Sequence, residues 1–177
     1  MRIISGHLGG RQFKTPNGHK THPMSEKARG GLFNVLGDIE GLSVLDAFAG
    51  SGALGFEAIS RGAKSVVAVE KDGAAHGIID ANVKDLKLGD RIKVSRANTG
   101  GWSIHNMEKQ FDIVLLDPPY DHLQLDLIQT LVNRHVKPNG LAVLSFPGSE
   151  PIPNLELMEL AAEKPYGDIR LIFYKKH

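Results

Sequence analysis

From Leu42 onward, short continuous apolar runs alternate with longer stretches in which apolar residues recur every three or four positions. LSVLDAF (42–48), SVVAVE (65–70), RIKVS (91–95), FDIVLLD (111–117) and LAVLSF (141–146) have the length and continuous apolarity of strands buried on both faces of a parallel sheet. Between them, residues 53–61 predict a helix ended by Gly62, and residues 73–87 a helix with Ile78, Ile79, Val83 and Leu86 along one side. HLQLDLIQTLVNRHVK (122–137) predicts an amphipathic helix stopped by Pro138, Asn139 and Gly140. LELMEL (155–160) and DIRLIFYKK (168–176), separated by the turn-like KPYG, predict an antiparallel hairpin that closes a mostly parallel sheet of seven strands. Such alternation predicts a doubly wound, Rossmann-like α/β domain with helices on both faces and right-handed crossovers.

The first forty residues differ. Arg2–Ser5 and Arg11–Lys14, joined by GHLGG, predict a β-hairpin, followed by the loop TPNGHKTHP. Ser25 predicts a cap for a helix over 26–36, with Ala28, Leu32, Val35 and Leu36 as its apolar face. Gly30 and Gly31 weaken that helix by about 1 kcal/mol each relative to alanine, so tertiary packing must hold it. The expected division is an N-terminal extension, residues 1–20, and a main domain, residues 21–177.

Charge sharpens this division. The whole chain of 177 residues carries a net charge of only +1, but residues 1–31 carry +5 and the remainder −4. Arg2, Arg11, Lys14, Lys20, Lys27 and Arg29 supply the positive segment, which suits a phosphate-binding arm on an acidic body. Lys175, Lys176 and His177 read as a solvated tail.

The candidate chemistry sits where predicted strands end. Gly50, Gly52 and Gly55 form the Gly-x-Gly-x-x-Gly pattern that lets backbone approach a nucleotide cofactor and turn into a helix. Glu70, fifteen residues after Gly55, can accept the two hydroxyls of an adenosine ribose, a feature of both NAD and S-adenosylmethionine. Asp46 distinguishes them. A carboxylate just before the glycine loop repels a pyrophosphate and attracts an ammonium and a sulfonium, by about 4 kcal/mol at ~4 Å in an effective dielectric of ~20. The alternative role for Asp46 is to accept loop amides as a turn-former.

The second signal is Leu115–Tyr120, LLDPPY. Pro118 and Pro119 stiffen the turn and fix its carbonyls, since neither has an N–H. The Asp117 carboxylate and the Pro118 carbonyl can hold an exocyclic amine of a nucleobase, and Tyr120 offers a ring on which a flipped base stacks for roughly 1–3 kcal/mol. The chemistry expected is in-line methyl transfer, driven by alignment.

The absence of cysteine excludes disulfides, thiolate nucleophiles and Cys-type zinc sites. The eight histidines form no metal motif; His76, His105 and His135 read as surface or helix residues, and no metal is expected. Trp102 reads as packing against the sheet rather than covering an adenine. No run approaches the ~18 apolar residues of a membrane span and MRIISGHLGG has no signal-like apolar region, so a cytoplasmic protein is expected.

These segments together resemble the RsmD-type methyltransferases. The resemblance covers MRIISGHLGGRQFKTP, THPMSEKARGGLFNVLG, VLDAFAGSGALGFEAISRGA, VEKD, FDIVLLDPPY and KPYGD, nearly the whole chain. It implies a class I methyltransferase fold and transfer of a methyl group from S-adenosylmethionine to the N2 amine of a guanine in bacterial 16S ribosomal RNA. Asp46, Phe48, Ala49, Gly50, Ser51, Gly52, Glu70, Lys71 and Asn98 would form the cofactor site, and Asp117, Pro118, Pro119 and Tyr120 the catalytic corner. The hairpin, with Arg2, Arg11, Lys14, Lys20, His22, Lys27 and Arg29, would contact RNA, within a small-subunit assembly particle and as a monomer. The chain departs from the family's usual Arg at His22, Glu at Gly30 and acid at Asn98. Other readings are a DNA amino-methyltransferase, for which the chain is short, a non-catalytic RNA-binding protein, and a dehydrogenase, which Asp46 opposes.

Overall fold

The computed structural model describes residues 1–16 and 23–177; Lys20, His22 and the expected division between residues 20 and 21 lie outside them. In chain order the elements are α1 (Glu26–Leu36), β1 (Ser43–Asp46), α2 (Ala53–Ser60), β2 (Ser65–Glu70), α3 (Gly73–Asp85), β3 (Ile92–Arg96) and α4 (Thr99–Ile104). They continue with β4 (Phe111–Leu116), a 3-10 turn (Tyr120–His122), α5 (Leu125–His135), β5 (Val136–Pro147), β6 (Met158–Tyr166) and β7 (Ile169–Lys176). The sheet has the order β3-β2-β1-β4-β5-β7-β6. The first five strands are parallel and β7 pairs antiparallel with both β5 and β6. Chain order therefore reverses between β1 and β4, and in open α/β sheets the crevice beyond the strand ends at such a reversal is where ligands bind.

Successive strand residues point to opposite faces, and both faces are covered. Val44, Val66, Ile113 and Val143 pack with Leu32 and Phe33 of α1, Leu54 and Phe56 of α2, and Ile79 and Val83 of α3. Leu45, Val114, Leu116 and Leu144 pack with Trp102 of α4 and with Ile128, Leu131 and Val132 of α5.

The N-terminal segment has hairpin hydrogen bonds but only one bridge, Arg2 opposite Gln12. It is fastened to the domain core. Ile3, Leu8 and Phe13 are buried there, with the Phe13 ring edge-on to Phe56 at 5.0 Å between centroids. The Glu57 carboxylate of α2 accepts the amides of Ile4 (2.8 Å) and Ser5 (3.1 Å) and the Nε of Arg61 (2.8 Å).

Three local expectations need correction. The inward face of α1 is Ala28, Arg29, Leu32 and Phe33, while Val35 is exposed; the helix is rotated so that Arg29 meets Glu57. Pro138, Asn139 and Gly140 do not separate α5 from β5 but lie inside β5 as a bulge, between the pairs Phe111–Val136 and Ile113–Leu141. Asn139 takes φ 62° there, and Lys137 reaches Asp112 at 2.8 Å. KPYG is not the terminal turn: β6 runs through Tyr166, and Gly167 and Asp168 make it, Gly167 with φ 67°. The short helix α4, with Gly100 and Gly101, has no counterpart in the sequence reading.

Candidate active site

The loop after β1 is stitched to both neighbouring strands. The Ala47 amide donates to Leu115 of β4 (3.1 Å), and the Ala49 amide to Val69 of β2 (2.9 Å). Gly50 and Gly52 take φ 55° and 79°, the left-handed region that glycine enters without strain. A Cβ on Gly52 would also lie 2.9 Å from the Phe56 ring. The third glycine serves packing: a Cβ on Gly55 would stand 3.3 Å from Val66 and 3.7 Å from an Asp46 carboxylate oxygen, so its absence lets α2 close over Asp46.

Glu70, at the end of β2, does not pair with Lys71, which is exposed. Its carboxylate accepts the Gly50 amide (2.7 Å) and the Asp72 amide (2.8 Å), pinning the glycine loop to β2 with lone pairs left for a ligand. Phe48 is half-buried and Ala49 buried. Ser51 is also buried, its hydroxyl turned toward the Met1 thioether at 4.0 Å. Asn98 caps α4 by accepting the Gly101 amide (2.7 Å), so one lone pair of its amide oxygen is already used. Trp102 packs against Phe111 and His135, as expected, and His135 is a helix residue, the last of α5, fully buried in the core.

Asp46 is the outlier. It is 0% exposed, and neither carboxylate oxygen has a hydrogen-bond partner. Burial pushes its pKa up to about 7, with the Asp117 and Glu70 carboxylates adding to the shift; the nearby Gly55 and Phe48 amides oppose it without reaching hydrogen-bond geometry. The loop-amide role is thus unfilled. A buried carboxyl without a donor is costly unless a cation or donor arrives to satisfy it. The donor set fits S-adenosylmethionine: an unpartnered acid beneath a glycine loop for a cationic group, and Glu70 at the next strand end for a diol. Among the described residues no cluster of three His, Asp or Glu could hold a metal.

Asp117 follows directly on β4, whose Leu115 pairs with Asp46, so the two acids emerge from adjacent strands. Burial pushes Asp117 up to about 6, while the Ser145 hydroxyl works in the opposite direction. Both acids are thus held above the usual carboxylate range, and a charge on Asp117 disfavours ionisation of Asp46. Pro118 is buried and Pro119 half-buried with φ −65°, the angle its ring imposes. Tyr120 opens the 3-10 turn, 37% exposed, its hydroxyl 2.5 Å from Ser145 Oγ. Burial pushes the phenol up to about 12, against the pull of Ser145. Ser145, 1% exposed on β5, is the residue sequence reasoning missed; its signal was a lone hydroxyl at the end of the apolar run LAVLSF, beside the Asp-Pro-Pro-Tyr strand.

The basic residues part company. Arg11 and Lys27 are exposed, Arg2 is exposed but bound to Glu26 at 3.0 Å, and Lys14 stands 3.7 Å from Asp85. Arg29 is 1% exposed, donates to the Arg2 carbonyl (2.8 Å) and lies 3.8 Å from Glu57. It cannot touch RNA and is withdrawn from that surface, because its charge is spent inside the fold.

Comparison with known proteins agrees with this layout. Ribosomal RNA small subunit methyltransferase D of Haemophilus influenzae is 31% identical over 180 residues, covering 99% of this chain and 93% of the relative. The Bacillus subtilis protein YlbH is 32% identical over 183 residues, 99% of each chain. Among solved structures, yhhF of Escherichia coli superposes with a TM-score of 0.89 at 30% identity, covering 100% of this chain and 98% of that one. The sheet, crevice and C-terminal hairpin are those of class I methyltransferases. A family model described as conserved hypothetical protein 95 matches residues 1–175, and the chain belongs to that family, the RsmD-type methyltransferases.

Proposed function

We propose that this protein methylates the exocyclic N2 amine of a guanine in the 16S RNA of the small ribosomal subunit, with S-adenosylmethionine as cofactor. The bound cofactor supplies an electrophilic methyl group on a sulfonium. The observation that carries the reading is the pair of acids at the strand reversal: Asp46, buried and unpartnered, and Asp117, held on the rigid Pro118-Pro119 turn beside it.

The chain's own groups divide the work. Asp46 gains its missing partner when a positive charge settles over the loop, and Glu70 offers its remaining lone pairs to a ribose. Asp117 and the Pro118 carbonyl accept the two hydrogens of the target amine and so aim its lone pair. Positioning of this kind is worth roughly 7–11 kcal/mol. Once the nitrogen has been alkylated it sheds a proton, and Asp117, ionised above about pH 6, is an acceptor for it. Tyr120 provides the ring for stacking. Arg2, Arg11, Lys14 and Lys27 are the phosphate-contacting residues of a monomer that docks on a small-subunit assembly particle in the cytoplasm, and Lys20 and His22, outside the described residues, are assigned to RNA contact on the sequence alone. The curated relatives named for small-subunit ribosomal RNA support this substrate class.

The decisive experiment uses small-subunit particles from cells lacking the protein. Asp117→Ala is expected to abolish methyl transfer while cofactor affinity by calorimetry stays within a few fold of wild type. Full turnover by that variant would overturn the assigned role.

A further inference from the structure

The geometry points to Ser145 as a positioning residue that links the Tyr120 hydroxyl to the Asp117 carboxylate and so holds the target-base corner in one arrangement. This rests on the reading of Asp117 as the group that orients the target amine. The hydroxyl is 1% exposed, on β5, the strand next to the one that delivers Asp117; Leu144 pairs with Leu116, so Ser145 and Asp117 follow side by side. Its close contact is Tyr120, at 2.5 Å. Asp117 is its cross-strand neighbour in register, and the Ser145 hydroxyl pulls the Asp117 carboxyl down against burial.

Proton counting sets the direction of the link. A serine hydroxyl donates once, and its oxygen can accept at the same time. Tyr120 keeps its proton throughout the ordinary pH range, because burial drives the phenol to about 12. The protonated phenol can donate to Ser145 Oγ, and in the proposed link it does so, which leaves the serine proton for Asp117, the acceptor beside it. A hydrogen bond to the charged form of an acid favours that form, so Ser145 keeps Asp117 ionised at lower pH than burial alone would allow. The other charged groups near this corner are Asp46 from β1 and Asp168 from the turn between β6 and β7, both of which favour protonated neighbours. The Ser145 hydroxyl works against them at Asp117.

The link has two consequences. It stops the Tyr120 ring from swinging as a base stacks on it, and it fixes which Asp117 lone pairs remain for the amine. Neither effect concerns the cofactor, which separates this role from that of the glycine loop.

The test compares Ser145→Ala, Ser145→Thr and Tyr120→Phe, with two readouts. Carboxyl-labelled NMR follows Asp117 in the free protein without any need for activity. Ser145→Ala is expected to raise the Asp117 midpoint by roughly one pH unit. In turnover, Ser145→Ala is expected to lower kcat about tenfold with cofactor affinity unchanged. Its acid limb should move upward by the same amount as the NMR midpoint. Ser145→Thr, which keeps the hydroxyl, should restore both, and adding Tyr120→Phe to Ser145→Ala should cost less than the two separate losses combined. An unmoved Asp117 midpoint in Ser145→Ala overturns the inference, as does a kcat within twofold of wild type. Equal losses in the Ala and Thr variants would assign the effect to packing and overturn it too. If the wild-type protein itself transfers no methyl group, the functional reading fails, while the NMR arm still decides whether Ser145 governs Asp117.

Discussion

Two carboxylates in this protein are completely buried, and they live in opposite ways. Glu57 on α2 receives two backbone amides and the Arg61 guanidinium, with Arg29 at 3.8 Å. Asp46, at the end of β1, receives nothing and sits beside two other acids. Both are 0% exposed, so depth alone does not separate them. The difference is satisfaction. Where a buried charge has all its partners, it defines architecture, here the seating of the N-terminal hairpin on the domain. Where it has none, the fold maintains an unfavourable arrangement at the strand reversal, which the proposed cationic ligand would relieve.

Breaking the satisfied acid should have the larger effect. Glu57→Ala leaves the Ile4 and Ser5 amides and two guanidinium groups without their acceptor, and removing one partner of a buried charge network costs about 3–5 kcal/mol. That is a large part of the ~5–15 kcal/mol stability of an ordinary domain. Urea unfolding should show this loss, and limited proteolysis should cut ahead of α1 first. A change of less than about 1 kcal/mol would place Glu57 among surface pairs and erase the comparison.

Neutralising the unsatisfied acid should act with the other sign. The Asp46 carboxyl binds its proton more tightly folded than unfolded, with values of about 7 and 3.8. The stability linked to it is therefore full below about pH 4 and is lost as pH rises toward 7; Asp117, at about 6, adds a loss of the same sign. Asp46→Asn should thus match wild type near pH 4 and exceed it by roughly 3–4 kcal/mol at pH 8, while binding S-adenosylmethionine at least tenfold more weakly. An identical stability difference at both pH values would show that Asp46 carries no excess proton.

The contrast also explains what could be read from the chain. Continuous apolar runs revealed the parallel strands, Ser25 marked the start of α1, and the order Asp46, glycine loop, Glu70, Asp-Pro-Pro-Tyr marked the crevice, because backbone chemistry at strand ends leaves a local pattern. Arg29 and Glu57 were hidden for the opposite reason. A charged residue reads as surface until its partner is known, and theirs lie 28 residues apart in sequence. The face assigned to α1 was right at Ala28, Leu32 and Leu36 but included the exposed Val35 in place of Arg29 and Phe33. Pro138-Asn139-Gly140 read as a stop because a bulge and a chain break use the same residues; only the pairing of β5 with β4 tells them apart. Ser145 is proposed to act through two residues of the turn that follows β4, more than twenty positions earlier in the chain, beyond the reach of a local sequence window.

The smallest effect tests whether the hairpin's seat depends on burial at all. Arg2 and Glu26 tie the hairpin to α1 as Glu57 ties it to α2, through two hydrogen bonds from Nε and one from the guanidinium end, but both side chains are largely in water. Exposed pairs of this kind are screened by salt and contribute little to stability. Glu26→Gln should therefore leave the melting temperature unchanged within error. Its effect should appear in RNA binding, where the released Arg2 adds one cation to the phosphate-contacting edge. Affinity should rise at low salt, and the slope of log K against log salt should steepen by about one ion. A melting temperature that fell as far as that of Glu57→Ala would mean that the surface pair, and not the buried carboxylate, seats the hairpin.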